Sequence, residues 1–215
     1  MCARYTLRVR SLADVAQALD AEYSPGDERL YQPRFNAAPT DIGWIVSHHA
    51  GRRILRPARW RYLIGASRPL VNIRSESVMF RRFRAVFASN RCAIVSDGFF
   101  AWSDGGLNPV WVHPRDDGLV LLGGLLQPAK VHNAYSRFSV LTSSATAVVA
   151  KVHDRMPVIV DLEQLDGWLT ATPEAALRIL ASGASRALIA TRVSNYVDDV
   201  KHDDPGCIAP PSYEG

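Results

Sequence analysis

The chain has 215 residues, 47% of them hydrophobic and 21% charged, with a formal net charge of +4. That composition supports a sizeable core and excludes disorder outside the ends, and no apolar run is long enough to span a bilayer. Met1-Cys2-Ala3-Arg4 lacks the charged-then-apolar layout of a signal peptide, so a cytoplasmic, nucleoid-associated protein without membrane contact is expected. The cysteines (Cys2, Cys92, Cys207) have wide, unpatterned spacing, which fits a reducing compartment and neither a disulfide framework nor a zinc site. No metal and no cofactor is expected, because the chain has no metal-ligand spacing and no nucleotide-binding glycine loop.

In chain order, Ser11-Leu-Ala-Asp14 reads as the N-cap and acidic first turn of a helix that continues through Val15, Ala18 and Leu19. Ser24-Pro25-Gly26 ends it. Arg34 to Thr40 reads as a polar, proline-containing loop, and 43–47 and 53–59 as short strands. After Glu76 the apolar stripe Val78, Met79, Phe83, Val86, Phe87 predicts a second helix with a core-facing side. Strands are expected at 92–96, 109–113, 119–122 and 137–142, separated by Asp-Gly and Gly-Gly turns, with the strand at 92–96 running into an aromatic turn at Phe99-Phe100. Gly123-Gly124 reads as a strand bend. Short helices are expected at 143–149, 163–169 and 173–181, a late strand at 187–193, and an irregular tail after about 205. Together these predict an α+β fold over residues 1–215 as a single domain, with a strongly curved, barrel-like β-sheet core flanked by short helices.

Charge is unevenly spread. From Arg52 to Arg91 there are eleven arginines and one acid, Glu76, whereas from Asp154 onward ten acids face five basic residues. Guanidinium groups pair bidentately with phosphates and stack on bases, so the first block suits nucleic acid. The most informative single position is Cys2. Once Met1 is removed, Cys2 carries a free amine and a thiol on one residue, with pKa values near ~8 and ~8.5 in unperturbed form. Such an aminothiol condenses with an aldehyde to an imine and then closes a thiazolidine ring, the second attack being intramolecular. Polar clusters occur at Asn72-Ile-Arg-Ser-Glu76, placed at the start of the second helix where backbone N–H groups favour anions, and at Val152-His-Asp-Arg-Met-Pro157. Singly each has an ordinary structural explanation: Asn36 shapes a turn, Asn72 caps a helix, Phe99, Phe100 and Trp102 fill the core, and His153-Asp154-Arg155 forms a local ion-pair cluster.

Taken in order, Met-Cys-x-Arg, Arg34-Phe-Asn-Ala-Ala-Pro-Thr40, Asn72-Ile-Arg-Ser-Glu76, Arg91-Cys-Ala-Ile-Val-Ser-Asp-Gly-Phe-Phe-Ala-Trp102 and His153-Asp-Arg-Met-Pro157 resemble the SRAP family, the SOS-response-associated peptidases, over nearly the whole chain. The resemblance implies a monomer that binds single-stranded DNA or a single/double-strand junction and reacts with abasic sites. It implies Cys2 as covalent nucleophile, Asn72 as the residue that positions it, and His153 as the group assisting sugar opening and proton transfer. It further implies Arg4, Asn36, Arg74 and Arg155 at the DNA, the arginines on phosphates, with Pro39 and Trp60 wedged or stacked against unpaired bases.

Three departures stand out. The family's glutamate in the aromatic motif is replaced by Ala101, with Asp104 or Glu76 as candidate substitutes. Its Trp-Gly-Leu-Ile-Pro segment reads Trp60-Arg-Tyr-Leu-Ile-Gly65, and Ala3 follows Cys2 in place of glycine. Two other readings compete with the abasic-site sensor: a thiol peptidase with His153 as base, and a DNA-binding module that has lost its chemistry.

Overall fold

The computed structural model describes residues 3–64, 69–103, 106–131, 134–183 and 187–211. Cys2 and Asp104 lie outside the described residues. The chain opens with β1 (Tyr5–Leu7), α1 (Leu12–Leu19), β2 (Arg34–Ala37), β3 (Ile42–His49) and β4 (Arg52–Trp60). Next come β5 (Asn72–Arg74), α2 (Arg81–Ser89), β6 (Arg91–Ser96), β7 (Gly98–Ser103), β8 (Asn108–Pro114) and β9 (Val120–Gln127). The rest comprises β10 (Ser136–Ser144), α3 (Ala147–Ala150), β11 (Arg155–Pro157), β12 (Ile159–Val160), α4 (Leu165–Thr170), α5 (Pro173–Ser182) and β13 (Leu188–Arg192). No helix among the described residues is long and apolar enough to cross a membrane.

The strands form two sheets. One runs β13-β8-β7-β1-β2; the other runs β11-β10-β4-β3-β6-β9-β12, with β5 alongside β10. In the second sheet β9 also pairs with β10, so hydrogen bonds close a ring through β3, β4, β10, β9 and β6. The fold is α+β, as expected, but the ring is uneven: β10 runs parallel to β4 over Ser136–Phe138 and then transfers to β5 over Val140–Thr142. Gly124 sits inside the ring between two strands, paired with Cys92 of β6 and Val140 of β10. A Cβ there would lie 2.4 Å from Ile94 Cδ1 and 2.8 Å from the Ser139 carbonyl oxygen, so the strands close this far only because the position has no side chain. The Gly-Gly pair lies inside β9.

Period-two alternation gives the ring two apolar faces. Trp44, Val46, Leu55, Ala93, Leu121 and Leu141 meet α1, α2, α4 and α5 through Leu12, Val15, Phe83, Phe87, Trp168 and Ala176. Ile45, Ala58, Trp60, Ile94, Leu122 and Phe138 meet the first sheet through Tyr5, Phe99 and Val112. A smaller cluster, Phe100, Trp111, Val193, Val197 and Cys207, covers the outer face of the first sheet.

Ser11 caps α1 by accepting the Asp14 N–H at 3.1 Å. Four expectations need correcting. Arg34–Ala37 is strand β2, not loop, and Gly98–Ser103 is strand β7, not a turn, because each pairs with β1. The second helix begins at Arg81, leaving Met79 exposed and Asn72 in strand β5, which runs into one short 3-10 turn at Ser75–Ser77. In the stretch 143–149, Ser143 and Ser144 end β10 and the helix begins only at Ala147.

Candidate functional site

Strand β10 gathers the candidate residues. On one side β5 runs parallel to it, setting Asn72 against Val140 and Arg74 against Thr142. On the other β11 runs antiparallel, setting Pro157 against Thr142 and Arg155 against Ser144. Arg74 and Pro157 therefore flank Thr142 from opposite sides, with Asn72 two residues before Arg74 and His153 two residues before Arg155, its backbone N–H on the Val149 carbonyl of α3. Val71, Val148 and Val110 pack on the same cluster as Tyr5 and Phe99, so the entry of β1 lies against this corner.

Arg155 is the most heavily bonded of these residues. Its guanidinium donates to both oxygens of Glu76, at 2.6 and 2.9 Å, to the Thr142 carbonyl, and to Thr142 Oγ1 at 3.3 Å. Its side chain is only 11% exposed. The pair with the half-exposed Glu76 adds no more than about 1 kcal/mol to stability, so its interest is geometric. The hydrogen bonds and charge of Arg155 pull the Glu76 carboxyl down to about 2. A carboxyl held there carries no proton at neutral pH, so Glu76 is not a replacement general acid for the missing glutamate. The Arg155 backbone N–H donates to His153 Nδ1 at 2.9 Å, and the exposed Asp154 carboxylate lies 2.8 Å from the same nitrogen.

Trp60 is enclosed at 1% exposure, its ring 5.3 Å from Tyr5 and stacked on Phe138 at 6.0 Å, with Nε1 donating to the Val71 carbonyl at 2.9 Å. It supports the strand that carries Asn72 from below and offers no face to a base. Asn36 is likewise sealed: its amide donates to the carbonyls of Val197, Asp199 and His202 and accepts from Arg4 at 2.8 Å. Arg4 also donates to the Val197 and Asp198 carbonyls, and burial holds its pKa below the ordinary value. Asn36 and Arg4 thus join β1 and β2 to the C-terminal segment, where Asp203 accepts the N–H groups of Phe35 and Asn36. Pro39 is partly exposed in the turn after β2, tied to the end of β4 by Thr40 N–H on the Trp60 carbonyl. Arg74 is exposed.

Ala101 is buried at 5%, opposite Val110 in β7. Phe99, two residues earlier on the same face, belongs to the cluster beneath Asn72, while Phe100 and Trp102 point to the other face. A methyl group therefore stands where the family's glutamate would enter. Among the described residues no group of His, Cys, Asp and Glu could hold a metal ion. Thr142, whose carbonyl anchors Arg155, was not singled out by sequence; it is the last residue of the strand expected at 137–142.

The arginine block divides. Arg52 pairs with Glu22 and Arg53 with Asp166; Arg91 is buried and donates to the Phe87 and Trp168 carbonyls. Arg74, Arg81, Arg82 and Arg84 remain on the surface, beside the exposed Met79 and Phe80.

Comparison with known proteins places this geometry. The chain is 25% identical over 221 residues to the abasic site processing protein YoaM of Bacillus subtilis, covering 94% of this chain and 95% of that one. It is also 25% identical to the abasic site processing protein YedK of Escherichia coli, over 98% of this chain and all of that one. A crystal structure from Bacteroides thetaiotaomicron superposes with a TM-score of 0.78 at 15% identity over 98% of this chain, which bears on fold alone. The family model for the SOS response associated peptidases, SRAP, matches residues 1–200, and the chain belongs to that family.

Proposed function

We propose that the protein captures abasic sites in single-stranded DNA, or at a single/double-strand junction, by forming a thiazolidine through Cys2 once Met1 has been removed. The ring-opened abasic sugar is an aldehyde. The Cys2 amine condenses with it, losing water, and the thiolate then adds to the imine carbon. Asn72 positions the N-terminal residue, and His153 moves protons during sugar opening and condensation. The observation that carries this reading is that β10 lies between β5, which carries Asn72, and β11, which follows just after His153, with Tyr5 at the start of β1, three residues after Cys2, in the adjoining core cluster. The names of the relatives, abasic site processing proteins, supply the substrate class.

The strand of DNA is held by Arg74 and the exposed Arg81, Arg82 and Arg84, with Phe80 available to stack on a base and Pro39 at the turn nearest β1. Arg4, Asn36, Trp60 and Arg155 act one step back, by fixing the strands that present the site. The replacement of the glutamate by Ala101 favours one rival, a DNA-binding module without covalent chemistry.

The test is to mix protein of verified N-terminus with single-stranded DNA containing one abasic site and to resolve products on a denaturing gel. An adduct lost in Cys2→Ala is the expected result. No adduct from protein with a free Cys2 amine would overturn the covalent reading and leave the binding module.

A further inference from the structure

Arg155 performs two separate tasks. Its guanidinium ties Glu76, after β5, to the Thr142 carbonyl in the middle of the site. Its backbone N–H is aimed at His153 Nδ1, 2.9 Å away. Arg155 also pairs with Ser144 in the β10–β11 ladder, so its backbone is held by the strand and its side chain by two further segments.

That hydrogen requires a lone pair on Nδ1. Asp154 Oδ1, 2.8 Å from the same nitrogen, requires a proton there instead. One nitrogen cannot satisfy both. In a neutral imidazole the amide selects the tautomer protonated on Nε2, and the carboxylate selects the one protonated on Nδ1. Asp154 is 83% exposed and can turn to water at little cost. The amide has no such freedom, held by the pairing of β11 with β10 and by the hold of Glu76 and Thr142 on the guanidinium.

We propose that Glu76 is a positioning residue which, acting through Arg155, holds neutral His153 in the tautomer with its proton on Nε2. The inference rests on the reading of His153 as the proton-transfer group. Loosening the clamp hands Nδ1 to Asp154, moves the proton to Nδ1 and leaves Nε2 an acceptor. A group that must give a proton then cannot.

The measurement is nitrogen-15 NMR of the histidine side chains in the full chain above pH 8, where an ordinary imidazole is neutral, with His153→Gln to assign the signal. Wild type is expected to show the Nε2–H pattern at His153. Glu76→Gln shifts it toward Nδ1–H, Glu76→Asp restores it in part, and adding Asp154→Ala to Glu76→Gln restores it fully. A folded Glu76→Gln protein with the wild-type pattern, or a wild type already protonated on Nδ1, overturns the proposal. A second arm measures the adduct rate at saturating abasic single-stranded DNA and the affinity for undamaged DNA separately. Glu76→Gln is expected to slow the rate by about tenfold or more, the scale of a misplaced catalytic group, with affinity unchanged. A loss confined to affinity would overturn it. If wild type forms no adduct, the abasic-site reading fails while the tautomer signal still decides the clamp.

Discussion

Trp60 follows the resemblance-derived set of DNA contacts in sequence but not in space, and the difference is measurable. Enclosed between Tyr5 and Phe138 with its N–H satisfied, it behaves as core. Trp60→Ala should therefore cost about 3–5 kcal/mol in chemical denaturation; a surface stacking residue would lose DNA affinity with little change in stability. Glu76 makes a prediction with a sign. Its folded pKa is depressed, so its contribution to stability is fully present above about 4.5 and is lost as pH falls through about 2. Because the carboxylate is more than half exposed, the size is no more than about 1 kcal/mol, and Glu76→Gln should flatten the acid limb of a plot of Tm against pH by that amount. Cys92 is fully buried, with burial pushing its thiol up to about 12, and burial likewise raises Cys207. Neither should react with a maleimide in the native protein, whereas all three cysteines should react after denaturation, a count that mass spectrometry reads directly.

Elements differ in how much of their cause is local, and that decides what could be read in advance. Ser11 and Asp14 carry the start of α1 within four residues, and Thr172-Pro173 does the same for α5, so both helices were legible. Strands β1, β2, β5 and β7 were not, because a segment of three to six residues becomes a strand only when a distant partner bonds to it. Arg34–Ala37 has the polarity of a loop; Asp203, some 170 positions on, supplies the carboxylate that accepts its N–H groups. Of the candidate site, Asn72 and His153 were marked in the motifs by residue identity, and their roles belong to the proposed function. The burial of Asn36, Arg4 and Trp60 was invisible because it depends on the C-terminal segment and on the ring. Ring closure itself hangs on Gly124. Gly124→Ala would drive a methyl into Ile94 and the Ser139 carbonyl, so overpacking should destabilise the protein by about 1–3 kcal/mol. Faster amide exchange should follow in β6 and β10, and unchanged exchange there would mean that the ring tolerates a wider gap.

Across the whole molecule, the arginine-rich block does not form one basic face. Folding spends Arg59 and Arg91 on backbone carbonyls, and Arg52 and Arg53 on acids from other segments, while Arg61 is exposed after β4 and Arg74, Arg81, Arg82 and Arg84 are exposed on the stretch that leads out of the site. If this stretch carries the DNA, affinity depends on those residues and not on net charge. For single strands the slope of log affinity against log salt is about −0.7 per phosphate neutralised. The triple replacement Arg81→Ser, Arg82→Ser, Arg84→Ser should therefore reduce the slope by about 2, and weaken binding most at low salt. Serines at Arg52 and Arg53 remove two positive charges at the β3–β4 turn, where each is paired with an acid, so they should leave the slope alone and cost at most about 1 kcal/mol of stability each. Fluorescence anisotropy with undamaged single-stranded DNA across a salt series separates the two. Equal effects from both replacements would mean that DNA is attracted by the overall charge of the protein, and the surface leading from Arg74 to Arg84 would lose its claim to the strand.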